Sequence, residues 1–255
     1  MKHFGIIGYP LEHSFSAQYF NRKFKEENID AEYSLYPLKD IKDFPLLIER
    51  HQFAGLNVTM PYKQSVIPFL AGLDESARES GAVNVISIRD GLLWGYNTDA
   101  IGFKDSLNPI LRESDKQALV LGTGGAAHAV AYALRVLNIN ATFVSRQPAT
   151  ACGLQPNVRR RSPLPVISYH DLTEQVMATH PLIVNCTPLG MHPRTENKPP
   201  IPYEMLTAAH FLYDCIYNPD ETLFLKEGIR RGCRTKNGIE MLHGQARKAW
   251  EIWGE

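Results

Sequence analysis

The chain has 255 residues, 44% of them hydrophobic, enough to bury one large core or two smaller ones, and two is the expectation at this length. Its 27 basic and 27 acidic residues cancel, which removes the bulk electrostatic case for nucleic acid or an anionic membrane and leaves small molecules as expected partners. No stretch approaches the roughly 20 apolar residues of a membrane span, the start MKHFGIIGYP lacks a signal sequence's apolar region, and neither C-x-x-C nor H-E-x-x-H occurs, so a cytoplasmic protein with reduced thiols and no metal is expected.

In chain order, HFGIIGY reads as a strand, SAQYFNRKFKEEN as an amphipathic helix, AEYSLYPL as a strand, IKDFPLLIERH as a helix and GLNVTM as a strand. YKQSVIPFL then begins like a helix behind Pro61, which places Lys63 in a first helical turn. A cation is disfavoured there by roughly 0.3–1 kcal/mol, so local stability does not ask for this lysine. A solvated surface lysine and a functional one both remain open. GYNTDAIGFKDSLNPILRESDK is predicted to contain a linking helix. A second series follows from Lys116: QALVLG (strand), AAHAVAYALRVLN (helix), ATFVSR, PLIVNCT and HFLYDCIY (strands), ETLFLKEGIRRG (helix) and a C-terminal helix in EMLHGQARKAWEIWGE. Strands alternating with helices imply mostly parallel sheets covered by helices, so the fold class is α/β with two units in tandem. Residues 147–166, with four prolines and the run Arg159 to Arg161, read as a long irregular connection, the arginines as a solvated loop or, less simply, a ligand contact.

After the strand QALVL comes GTGGAA, which fits G-x-G-x-x-A at Gly122, Gly124 and Ala127 and opens into a helix. The first glycine permits the tight turn, the second lets a pyrophosphate approach the backbone, and the last small residue lets helix and strand pack. The helix N-terminus then faces the phosphates. At the end of the next strand, where an acidic residue would bond the ribose of NAD, stand Ser145 and Arg146. A guanidinium there suits the 2′-phosphate of NADP, though a strand-end arginine facing water is the plainer alternative.

The first half must then supply the substrate contacts at the carboxyl ends of its strands. EHSFS, NVTMPYK, GAVNV and GYNTD are strand-end or loop segments rich in hydroxyls and amides. Asn57 and Thr59 point to one side of a strand, and with Ser14, Ser16, Asn84 and Thr98 they suit a polyhydroxylated or carboxylated molecule. Helix capping is the competing role for Ser14, and for Thr98 or Asp99.

NVTMPYK, GAVNV, GYNTDAIGF, GTGGAA, VSR, NCTPLGM, YDCIYNP and NGIEMLHGQA stand in the order and spacing of the shikimate dehydrogenase family, which the chain resembles over nearly its whole length. The resemblance implies reversible NADPH-dependent reduction of 3-dehydroshikimate to shikimate, on the route to aromatic amino acids. It implies a substrate-binding domain of residues 1–100 plus about 239–255 and a Rossmann domain of 101–238, separated by a cleft, in a monomer or homodimer. The catalytic pair falls on Lys63 and Asp99. Substrate contacts fall on Ser14, Ser16, Thr59, Asn84, Asp99 and Gln245, with Asn57 and Tyr217 close by. Cofactor contacts fall on Gly122, Thr123, Gly124, Gly125 and Ala126, on Ser145 and Arg146, and near the nicotinamide on Thr187, Cys215 and Gly238. The chain departs from the family pattern where Ser145, Arg146 and Gln147 replace an Asn-Arg-Thr triplet, where Thr150 stands near the place of a second basic residue, and where Cys215 replaces a hydrophobic residue.

Chemically, a ketone receiving hydride needs a cation or proton donor at its oxygen, and a lysine can be both. A helix start would depress the Lys63 pKa and Asp99 would favour its charged form, two opposed influences. A relative using quinate or NAD, a catalytically silent NADP- or shikimate-binding regulator, and a methylene-folate dehydrogenase are the alternatives.

Overall fold

The computed structural model describes residues 1–12, 14–149 and 164–254. Thr150 and the arginines 159–161 thus lie outside the described residues. The chain divides into two compact units, Met1–Thr98 with the chain from Gln245 onward, and Asp99–Gly244.

In the first unit β1 (Lys2–Gly8), α1 (Phe15–Glu26), β2 (Ala31–Pro37), α2 (Phe44–Arg50), β3 (Phe53–Val58), β4 (Gly72–Leu73), α3 (Glu75–Ser80), β5 (Val85–Arg89) and β6 (Leu92–Tyr96) follow in order. They build one six-stranded sheet, β2-β1-β3-β5-β6-β4, in which only the pairings of β5 are antiparallel. The β5–β6 hairpin turns on Asp90 and Gly91, both at positive φ (51° and 75°), a two-residue turn whose twist matches the strands it joins.

The expected helix behind Pro61 is absent. Tyr62 N–H donates to Thr59 O (2.9 Å), Val66 N–H to Tyr62 O (3.0 Å) and Ile67 N–H to Gln64 O (3.2 Å), a run of turns closing in a 3-10 segment, Ile67–Phe69. Pro68 supplies no N–H and disfavours helical backbone at Ile67, so too few residues remain after Pro61 to nucleate an α-helix. Lys63 therefore sits in no α-helical first turn, and the dipole argument about its charge falls away.

The second unit contains α4 (Thr98–Leu107, from Asp99 on), β7 (Gln117–Leu121), α5 (Gly125–Val136), β8 (Asn140–Ser145), β9 (Val166–Ser168), α6 (Glu174–Thr179), β10 (Leu182–Asn185), β11 (Phe211–Asp214), α7 (Leu223–Arg230) and β12 (Arg234–Lys236). Its strands lie in the order β12-β11-β10-β7-β8-β9, all parallel, which is the doubly wound dinucleotide-binding arrangement with its order reversing between β7 and β10. The central strands β7, β10 and β11 are mostly apolar because helices cover both faces: Leu119, Leu121 and Ile183 enter one core, Val120, Val184 and Tyr213 the other.

The last helix, α8 (Ile239–Gly254), changes allegiance at Gln245. Ala246, Ala249, Ile252 and Trp253 pack with Phe4, Phe20, Phe24 and Tyr33 of the first unit. Trp253 Nε1 donates to Ile86 O (3.0 Å) and its indole lies where a Cβ on Gly55 would stand. No helix among the described residues is long and apolar enough to cross a membrane, and among them no group of three or more His, Cys, Asp or Glu could hold a metal.

Candidate active site

In the first unit the expected substrate contacts gather at the carboxyl ends of β1 and β3. Ser14 is the N-cap residue of α1 with extended backbone, yet its hydroxyl makes no capping bond, so capping does not account for it. Asn57 Oδ1 accepts from the Tyr33 hydroxyl (2.6 Å) and Asn57 Nδ2 donates to Asn84 O (3.1 Å). Ser16 hydrogen-bonds the same tyrosine, whose pKa burial raises well above the usual range. Asn84 Oδ1 accepts from Thr98 N–H (2.7 Å), and Asn84 Nδ2 donates to Thr98 Oγ1 (3.0 Å). Ser16, Asn57 and Asn84 thus belong to one buried chain, and each asparagine amide keeps one N–H uncommitted among the described residues. Thr59 follows β3 and its methyl fills the space a Cβ on Gly8 would need. The backbone of Lys63 is held by Val83 N–H, which donates to Lys63 O (2.7 Å), while the side chain is half-buried. Gln245 is buried at the point where α8 joins this unit.

Asp99 is buried in the first turn of α4, in the second unit, so the expected catalytic pair is divided between the units. Its charge reaches Cys215, contributing to that thiol's raised pKa after the hydrogen bond with Cys186 and burial.

The crevice for a dinucleotide opens where the strand order reverses. Gly122 has φ +103°, which L side chains rarely adopt, and a Cβ there would lie 3.2 Å from Thr187 Cγ2 across the crevice. Gly124 has ordinary φ (−81°) and nothing within 4 Å of its Cβ position: the space is open, and α5 starts at the next residue with its N–H groups free of intrahelical partners. Thr123, Gly125 and Ala126 complete the turn and the first helical residues. The residues present fit a pyrophosphate. At the end of β8, Ser145 Oγ accepts from Gln147 N–H (3.1 Å), fixing the bend in which Arg146 is exposed. Arg146 also acts on Tyr169, lowering a pKa that burial pushes up to about 12.

On the other side, Thr187 is held by an Asx turn. Asn185 Oδ1 accepts from Thr187 N–H (3.0 Å) and Oγ1–H (2.7 Å), and Asn185 Nδ2 donates to Asp214 Oδ1 (3.0 Å). Asp214 also accepts from Ile216 N–H (3.0 Å) and Thr222 Oγ1–H (2.6 Å). One buried carboxylate therefore orients both the loop carrying Thr187 and the loop carrying Cys215 and Tyr217. Burial raises the Asp214 pKa to about 6 despite these three donors. Gly238 is required by packing, since a Cβ would run into the Cys215 carbonyl. Tyr217 stands half exposed beyond β11, and burial raises its pKa.

A profile described as the shikimate dehydrogenase substrate binding domain matches residues 6–86. A protein of Methanosphaera stadtmanae named shikimate dehydrogenase (NADP(+)) is 37% identical over 254 residues, 98% of this chain and 90% of that one. One of the same name from Carboxydothermus hydrogenoformans is 40% identical over 258 residues, again 98% and 90%. This chain belongs to the shikimate dehydrogenase family. The crystal structure of the Thermus thermophilus shikimate 5-dehydrogenase in complex with NADP(H) and shikimate is similar to it at a TM-score of 0.84 and 28% identity, covering 99% of this chain and 93% of that one.

Within this family frame, four residues stand out that the sequence reading did not single out. Asn185 and Asp214 lie in the motifs NCTPLGM and YDCIYNP, and being polar at the buried ends of central strands was their signal. Tyr33 carried only strand alternation, and Tyr169 follows β9 with no motif around it.

Proposed function

We propose that the protein reduces 3-dehydroshikimate reversibly to shikimate with NADPH, in the cytoplasm, on the route to aromatic amino acids. The observation that carries this reading is end-to-end kinship with shikimate dehydrogenases, joined to a Gly122–Gly125 turn whose open face at Gly124 accommodates a pyrophosphate. Bound NADPH supplies the hydride.

The chain's own residues position and protonate. Ser14 and Ser16 hold the substrate carboxylate by neutral hydrogen bonds, and Thr59, Asn84 and Gln245 orient the ring hydroxyls, with Asn57 and Tyr217 beside them. Charge developing on the carbonyl oxygen is met by the Lys63 ammonium, which donates the proton, and Asp99 orients that ammonium. Arg146, with Ser145, takes the 2′-phosphate of NADP. Thr123, Ala126, Thr187, Cys215 and Gly238 complete the cofactor contacts. Rigid support of these groups by the Tyr33–Asn57–Asn84 chain is what positioning requires.

The test is absorbance at the NADPH band with shikimate or quinate against NADP or NAD. Turnover with shikimate and NADP is expected, together with a loss of about 10²–10⁴-fold in Lys63→Met and Asp99→Asn. Near wild-type rates in both variants would remove the pair from the mechanism. Binding of NADPH and shikimate without turnover would move the protein to a regulatory role, and quinate turnover with NAD to a relaxed relative.

A further inference from the structure

We infer that Cys186 and Cys215 form a dithiol site for low-molecular-weight disulfides, whose oxidation to a Cys186–Cys215 disulfide bars NADPH from the crevice. This rests on the reading that the nicotinamide half of the cofactor lies against the ends of β10 and β11.

Asn185 and Asp214 are register partners in adjacent parallel strands, and Cys186 and Cys215 follow them directly. The ladder continues through this pair, since Cys215 N–H donates to Asn185 O (3.0 Å), so both side chains leave the same face. Their sulfurs are 3.8 Å apart. Neighbouring strands lie about 4.8 Å apart, inside the range of roughly 4.4–6.8 Å between α-carbons that a disulfide spans. Closing to the bond length of about 2.05 Å needs side-chain rotation and no strand movement. Both residues are only partly buried, whereas Cys233 is buried with its thiol donating to Thr207 O (3.2 Å).

Cys215 keeps its proton, held by its hydrogen bond to Cys186 and by burial, so Cys186 opens the exchange. The Cys186 thiol loses its proton, its sulfur attacks one sulfur of oxidised glutathione, and one glutathione thiolate leaves and takes up that proton. The Cys215 sulfur then attacks Cys186 Sγ and expels the second glutathione, which accepts the Cys215 proton. Two electrons pass from the protein to the oxidant, one disulfide breaks, one forms, and two thiols are released. The closed pair adjoins Thr187, which faces Gly122 across the crevice, so the rotated sulfurs stand where the nicotinamide half of the cofactor is read to lie.

The full chain is incubated with oxidised glutathione and followed by intact mass, peptide mapping and NADPH fluorescence. Expected are the loss of two hydrogens, a Cys186–Cys215 cross-linked peptide, NADPH affinity weakened by about tenfold or more, and recovery with dithiothreitol. Saturating NADPH should slow the oxidation, and Cys186→Ser should form no such peptide. A glutathione adduct that never resolves, a cross-link to another cysteine, or a Cys186–Cys215 cross-link with unchanged NADPH affinity overturns the proposal. Reduced protein that binds NADPH but does not oxidise shikimate fails the functional reading alone; reduced protein that binds no NADPH fails both.

Discussion

Replacing Asp214 by asparagine should stabilise the second unit in a manner that depends on pH. The carboxylate is fully buried, and burial outweighs three hydrogen-bond donors to raise its pKa from 3.8 to about 6. Between those values the folded state binds more protons than the unfolded chain, so this group's contribution is fully present below about 3.8 and is lost as pH rises through about 6. The shift of 6 − 3.8 = 2.2, at 1.36 kcal/mol per unit, corresponds to about 3 kcal/mol lost at alkaline pH. About 2 kcal/mol of that falls between pH values of about 4.5 and 7.5. Asparagine keeps an oxygen for Asn185 Nδ2 and Ile216 N–H, while its amide group faces the Thr222 hydroxyl, which can accept. Any mismatch there adds an offset that pH does not change. The assay is thermal unfolding of both proteins across this range, reading the second unit's transition. The gap should move in the variant's favour by about 4–8 °C from acid to neutral, for a unit of this size. A gap that stays constant, or moves the other way, would refute the claim that desolvation dominates at this carboxylate.

Four further outcomes are expected. Gly122→Ala should destabilise the second unit by about 1–3 kcal/mol, through its positive φ and the tight approach to Thr187, whereas Gly124→Ala should leave unfolding unchanged and weaken NADPH binding in calorimetry; equal effects on stability would refute the distinction. Arg146→Ala should raise the NADP Michaelis constant about 10–100-fold with little change for NAD, and an equal change for both would free Arg146 from the 2′-phosphate role. Tyr33→Phe removes the donor to Asn57 Oδ1 and should cost the first unit about 1–3 kcal/mol while raising the shikimate Michaelis constant more than it lowers kcat. Trp253→Ala should cost the first unit about 3–5 kcal/mol in denaturant unfolding, and a loss confined to the second unit's transition would contradict the packing of α8.

The second unit was legible in the sequence because its signals are local. GTGGAA marks a turn that must follow a strand and open a helix, and the apolar runs around it have the length of doubly buried strands. The first unit was less so. Asp90-Gly91 is a hairpin signal, but it joins short strands whose faces are both partly covered, so no clean alternation draws attention to β5 and β6. The helix expected at Pro61 failed through a second proline seven residues on, whose effect on the preceding residue outweighs the favourable start.

The candidate site shows a different limit. A buried polar residue at a strand end satisfies equally well the need of a ligand and the need of the frame, and residue type alone does not separate the two. Asn84 was expected to meet substrate, yet its oxygen and one amide hydrogen are bound to Thr98; Gly238 was expected at the cofactor, yet the Cys215 carbonyl already demands it. Ser14 runs the other way, since its position invites capping and its hydroxyl is not used for it. Asp214 and Asn185 were passed over because their partners are 29 residues apart in sequence and meet only when β10 and β11 pair. What divides frame from contact is unspent hydrogen-bonding capacity, a three-dimensional quantity. By that measure Ser14 and the remaining amide hydrogens of Asn57 and Asn84 still have hydrogen-bonding capacity to offer a polyhydroxylated acid.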